Sequence, residues 1–218
     1  MTNPKQNLVL TDRFTRAVDY ARTWHTETRK GTQIPYMAHL LGVAALVMGE
    51  AGGPIPVTEE MVIAAILHDV VEDHGGKPRL EDVKEKFGGQ VAEMVEGLSD
   101  TLAEDHDKKE GWEERKVAYL ETLRREPEDV LLISVADKLY NAKAMLDDYK
   151  QIGPEVWKRF KRGRNQQLWY LDSLIAIFQL RMRSRLVDEL QRVVAELSSL
   201  SAGEVSKRTA DASEGDRK

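Results

Sequence analysis

Four ionisable side chains crowd into six positions at His68-Asp69-Val70-Val71-Glu72-Asp73. One imidazole and three carboxylates that close together suit a divalent cation or a proton transfer. They follow the apolar run Met61 to Leu67. Thr58 offers that run an N-cap, and Glu59 and Glu60 suit a first helical turn. A helix that is apolar on nearly all sides is a buried helix, so the charges at its end need compensation. Counted on one helix, His68 and Glu72 share a face, as do Asp69 and Asp73, and Asp69 with Glu72. His68 and Asp69 diverge by about 100°, yet both can reach one ion at the helix edge. Solvated carboxylates at the end of a surfacing helix would give the same letters.

Two further residues tip the balance toward a metal. His39 stands among Leu40, Val43, Ala44 and Val47. A single histidine on an apolar face is more often a core residue than a ligand. Asp137 lies inside the apolar stretch Val130 to Ala142, one turn after Ile133 and one turn before Asn141. A carboxylate in such a place wants a cation. Lys138 is adjacent, but neighbouring residues diverge on a helix, so it is a poor automatic partner. His39, His68, Asp69 and Asp137 together give a mixed nitrogen and oxygen set that suits Mn²⁺, Fe²⁺ or Zn²⁺. Such an ion lowers the pKa of bound water and polarises a phosphoryl oxygen. Glu72 or Asp73, one turn beyond, can orient water or pass protons.

These residues must be positioned by helices. Thr11 caps a first amphipathic helix with Phe14, Ala17, Val18 and Ala21 at helical spacing, ending near His25. Arg29-Lys30-Gly31 to Pro35-Tyr36 is a basic loop, either solvated or a phosphate clamp. Met37 to Glu50 is a second helix, and the central helix follows Gly52-Gly53-Pro54. Leu80 to Phe87 and Gln90 to Leu98 are shorter helices separated by Gly88-Gly89. Asp100 to Gly111 reads as an exposed, mobile loop, in which His106 belongs to a solvated charge run. Trp112 to Arg125 is helical, and Pro127 opens the helix that carries Asp137. Five cations between Lys158 and Arg164 read as a solvated helix face that could attract an anion. A last long helix carries the stripe Leu171, Leu174, Ile175, Phe178, Met182, Leu186, Leu190, Val193 and Leu197. That stripe is a core face or a face for a second copy of the chain, so a homo-oligomer is left open. No strand run is visible, and the fold class expected is all-α.

The chain has 218 residues, 41% hydrophobic and 32% charged, with a net charge of −5 and no cysteine. Residues 1–200 read as one domain and 201–218 as a polar, disordered tail. The negative balance argues against general nucleic-acid binding. Without cysteine there is no disulfide and no thiolate metal site. No signal-peptide core and no membrane-spanning run is seen, so a cytoplasmic protein without membrane partners is expected.

The ordered set resembles a known family. Arg29-Lys30-Gly31 with Pro35-Tyr36 and His39, then His68-Asp69-Val70-Val71-Glu72-Asp73, then Phe87-Gly88 with Val91-Ala92, then Ala136-Asp137-Lys138-Leu139-Tyr140-Asn141, are similar to HD-domain metal-dependent phosphohydrolases. The resemblance is to the hydrolase domain of Rel/Spo alarmone enzymes and its stand-alone form, the small alarmone hydrolases, including the metazoan SpoT homologue. It covers about residues 10 to 180. It implies a helical bundle with a metal site between helices, and removal of the 3′-pyrophosphate from (p)ppGpp with one Mn²⁺ per chain. It implies metal ligation by His39, His68, Asp69 and Asp137, and catalysis by Glu72 and Asp73. It places Arg29 and Lys30 on phosphates, Asn141 near the ribose, and Lys138 and Arg164 on the substrate side. Leu40 stands where the family usually has proline, which would alter the local turn. The segment 100–111 has no clear counterpart, so guanine and adenine alarmones and NADPH all stay open as substrates. A 5′-nucleotidase and a catalytically silent nucleotide-binding module are the other readings.

Overall fold

The computed structural model describes residues 7–103 and 111–215, with side chains described as far as Ala202. Among the described residues there are ten α-helices and one 3-10 segment, and only an isolated bridge, Thr28 to Pro35, has β character. The helices are α1 (Asp12–Trp24), α2 (Met37–Met48), α3 (Glu59–Leu67), α4 (Val70–Asp73), α5 (Gly76–Phe87), α6 (Gly89–Leu98), α7 (Trp112–Leu123), α8 (Glu128–Ile152), α9 (Gly163–Arg181) and α10 (Arg185–Gly215).

α3 is the centre. Every residue from Met61 to Leu67 is buried, and α1, α2, α6 and α8 pack around it. The Thr58 side chain caps it by accepting from Met61 N at 3.3 Å, and Thr11 caps α1 by accepting from Arg13 N at 3.2 Å. The first half of α8, Val130 to Ala136, is buried as completely. A carboxylate or imidazole projecting between these helices is therefore surrounded by hydrocarbon.

The structure departs from the sequence reading at several breaks. The central helix does not run through the ionisable cluster. α3 ends at Leu67, His68 is its C-cap, and Asp69 is the N-cap of the one-turn α4. The stripe from Leu171 to Leu197 is also two helices, broken at Met182-Arg183-Ser184. Ser184 restarts the chain there, its Oγ accepting from Leu186 N at 3.0 Å. The basic run from Lys158 to Arg164 is no helix face. It spans the end of the 3-10 segment Gly153–Arg159 and the turn into α9. Ser201 in α10 is buried, with its hydroxyl on Leu197 O at 2.5 Å. Asp100 is not exposed, because its side chain is only 3% accessible and paired. The rest of the expected loop, 104–110 with His106, lies outside the described residues.

Candidate metal and catalytic site

His39 enters from α2, His68 and Asp69 from the break after α3, and Asp137 from the middle of α8. Their donor atoms converge. His39 Nε2 lies 3.2 Å from His68 Nε2, 3.4 Å from Asp69 Oδ2 and 3.3 Å from Asp137 Oδ1. His68 Nε2 lies 3.0 Å from Asp69 Oδ2 and 3.7 Å from Asp137 Oδ1. Ligands bound about 2.0–2.2 Å from one ion stand roughly this far apart. The break after Leu67 allows this, because the turn lets two adjacent residues aim at one point.

The protons also fit a cation. His68 Nδ1 lies 2.8 Å from the Ala65 carbonyl, so Nδ1 carries a hydrogen and Nε2 is the nitrogen a cation would meet on displacing its proton. Two imidazole nitrogens and two carboxylates then face one another inside the core. Burial opposes a charged His68, yet Asp69 and Asp137 hold its pKa well above the ordinary value. Burial likewise opposes charge on Asp69 and Asp137, but the histidines hold Asp69 low, and Lys138 with the histidines holds Asp137 low. The centre is two carboxylates seeking positive charge, and the donor set fits a borderline divalent ion.

A second layer fixes these side chains. The Tyr36 hydroxyl donates to Asp69 Oδ2 at 2.6 Å. Lys138 Nζ donates to Asp137 Oδ2 and Asn141 Nδ2 to Asp137 Oδ1, each at 2.6 Å. The sequence reading that Lys138 makes a poor partner for Asp137 is therefore corrected: its long, flexible side chain reaches the neighbouring carboxylate. Arg29 Nη2 donates to Asn141 Oδ1 at 2.6 Å, linking the basic loop to α8. That loop is itself pinned by Arg29 N on Ile34 O at 2.8 Å and Tyr36 N on Glu27 O at 2.9 Å.

Glu72 sits in a different network. Its Oε2 accepts from Asp100 N at 3.3 Å, and Arg115 Nη1 is 3.7 Å from Oε1. Burial, then the Asp100 carboxylate, push its pKa up to about 8. Asp100 goes the other way. Against burial, Lys116 and Arg115, both 2.6 Å away, help bring it down to about 2. Asp73 is half-buried at the end of α4, its N–H on Asp69 O at 2.9 Å.

Beside this centre opens a cavity of about 720 Å³, within the range of small-molecule sites. Lys138 and Asn141 line it, and both grip Asp137. Six cations face it (Arg29, Lys30, Lys116, Lys138, Lys143 and Arg159) against the two carboxylates Asp147 and Asp148. Trp112, Tyr140, Phe160 and Tyr170 supply aromatic walls.

The HD domain family model matches residues 17–165. The chain belongs to the HD-domain family. The human guanosine-3′,5′-bis(diphosphate) 3′-pyrophosphohydrolase MESH1 is 35% identical over 150 residues, which is 66% of this chain and 74% of that one. The enzyme of the same name without the MESH1 suffix from Aquifex aeolicus is 35% identical over 130 residues, 60% of this chain. This HD domain spans only 17% of that relative's length. A solved structure of a metazoan orthologue of SpoT that hydrolyses ppGpp superposes with TM-score 0.69 at 26% identity, covering 87% of this chain and 98% of that one.

The structure thus brings His39, His68, Asp69 and Asp137 together, with Glu72 in the adjoining network. Arg29, Lys30, Lys138 and Asn141 line the cavity of this HD domain. Arg164 does not line it. It bonds Asn165 Oδ1 at 3.1 Å, and Arg159 lines the cavity instead. Sequence reasoning assigned no role to Tyr36, Asp100, Arg115 or Lys116. Tyr36 had a local signal, an aromatic one turn before His39. Asp100 had none, because its cations arrive fifteen and sixteen residues later. Among the described residues no helix is long and apolar enough to cross a membrane.

Proposed function

We propose that this HD domain is a metal-dependent hydrolase that removes the 3′-pyrophosphate from (p)ppGpp or a related purine alarmone. One observation carries the reading: a four-donor centre opens onto a cavity lined by six cations and aromatic rings. Pyrophosphate groups need clustered cations, and a purine needs a flat apolar wall. Relatives about 35% identical to this chain carry that activity in their names.

His39, His68, Asp69 and Asp137 would hold one Mn²⁺ per chain. When bound, the ion supplies Lewis acidity toward a phosphoryl oxygen and a lowered pKa for water. Arg29 and Lys30 bind phosphate oxygens from the basic loop. Lys138 and Asn141 keep Asp137 charged and aimed. Glu72 holds a proton near neutral pH, because its carboxyl titrates at about 8. It is suited to give that proton to the ribose 3′-oxygen as the bond to phosphorus breaks. Asp73 orients the attacking water and takes up its proton. The products are pyrophosphate and a free 3′-hydroxyl. The cytoplasm, where nucleotides reside, is the setting that goes with this chemistry.

The test is a substrate panel. Protein loaded with Mn²⁺ is incubated with ppGpp, pppApp, NADPH and a 5′-monophosphate, and the released group is identified. Pyrophosphate from ppGpp or pppApp is expected. Orthophosphate from NADPH or the monophosphate, with both alarmones intact, overturns the reading.

A further inference from the structure

Away from the centre described above, one other set of described residues gathers metal-ligating atoms: His25, Glu27 and His74. His25 follows α1, Glu27 begins the basic loop, and His74 follows α4. His25 Nδ1 lies 2.9 Å from Glu27 Oε1 and 3.2 Å from His74 Nε2, and the last two are 4.0 Å apart. A point equidistant from atoms separated by 2.9, 3.2 and 4.0 Å lies about 2.0 Å from each, a zinc–nitrogen or zinc–oxygen bond length.

The three backbones are held independently of any ion. His25 N donates to Ala21 O at 2.9 Å, and Glu27 O accepts from Tyr36 N at 2.9 Å. His74 O accepts from Arg79 Nε at 3.1 Å. His25 is 2% exposed, so water cannot complete its hydrogen bonding. One proton on its Nδ1 can serve the carboxylate or the second imidazole, but not both. A cation at the centre serves all three. His25 Nε2 is buried with no hydrogen-bond partner among the described residues. No acceptor there fixes the tautomer, so the ring proton can sit on Nε2 and leave Nδ1 as a ligand.

We propose that His25, Glu27 and His74 form a second cation site that takes Zn²⁺. Two imidazoles and one carboxylate suit zinc and not the all-oxygen preference of calcium or magnesium. The Glu27 and His74 side chains are 42% and 24% exposed, so a fourth position is open to water. The ion ties the loop after α1 to the end of α4. His25 stacks on Tyr36 with ring centres 4.7 Å apart and planes 10° from parallel. Tyr36 in turn holds Asp69. Zinc binding itself does not depend on the function proposed above.

Metal-stripped full-length chain is loaded with Zn²⁺, desalted, and its bound metal counted by mass spectrometry. Two ions per chain are expected, and one after Asp137→Ala, which disables the first centre. Adding His74→Ala to Asp137→Ala should leave none. Glu27→Gln, a milder and more exposed change, should remove one ion from the wild type with its helical circular dichroism intact. Co²⁺ in Asp137→Ala should show visible d–d bands that vanish with His74→Ala. An Asp137→Ala protein that holds no zinc, or a double variant that still holds one ion, overturns the proposal. Either result leaves alarmone hydrolysis by the wild type untouched, so the two readings fail separately.

Discussion

Glu72 is half-buried and Asp137 buried, yet their surroundings drive the two carboxylates in opposite directions. Asp137 is surrounded by donors and stays charged, whereas Glu72 faces Asp100 and keeps its proton to about pH 8. Different losses should follow. Asp137→Ala should abolish retention of the metal, read as metal content after desalting. Glu72→Ala should keep the metal and lower kcat by about 10²-fold or more, the usual contribution of a positioned acid. Glu72 also has a signature in stability. A carboxyl raised from 4.5 to about 8 on folding contributes stability that is fully present below 4.5 and lost as pH rises through about 8. Asp100, held to about 2, stays charged over that window. In metal-free protein, denaturant unfolding should show wild-type stability falling between about pH 5 and about pH 9, and Glu72→Gln should flatten that fall. At this scale the sequence was readable where chemistry concentrates locally. His68, Asp69, Glu72 and Asp73 announce themselves within six positions. Asp100, Arg115 and Lys116 do not, because their meeting depends on how α6 and α7 are placed.

Helices were legible where a cap and a period agree. Thr11 and Thr58 both cap as their letters suggest. The breaks were harder to see. Nothing in Leu67-His68-Asp69-Val70 forbids a continuous helix, yet α3 ends there and α4 begins at Val70. The pair Met182-Arg183 gave no breaking signal either, and only Ser184 hints at a restart. Contact between α2 and α8 yields a further expectation. Gly42 lies against the Tyr140 ring, where a methyl group would overlap ring atoms. That ring in turn sits 5.1 Å from the His39 imidazole. Gly42→Ala should therefore displace Tyr140, lower stability by about 1–3 kcal/mol in thermal or denaturant unfolding, and weaken metal retention through His39.

Over the whole molecule, charge is distributed unevenly. The chain carries −5 overall, but its cavity presents six cations against two carboxylates. A concave cationic surface in an otherwise acidic protein focuses its field on anions that approach it. Measured KM for an alarmone should rise severalfold between roughly 0.05 and roughly 0.3 M salt, and Arg29→Ala should weaken that dependence. All-α architecture was visible from periodicity alone. The cavity was not, because it is a space between α8, α9 and the basic loop, and a sequence records only the chain. One rod, α8, has its first half in the core, supplies Asp137 at its midpoint, and lines the cavity just beyond. If Asp137 holds an ion as proposed, release of that ion and melting of the interior should be one event. Calorimetry of the manganese-loaded chain should trace a single endotherm, and a chelator should move that peak to lower temperature without splitting it.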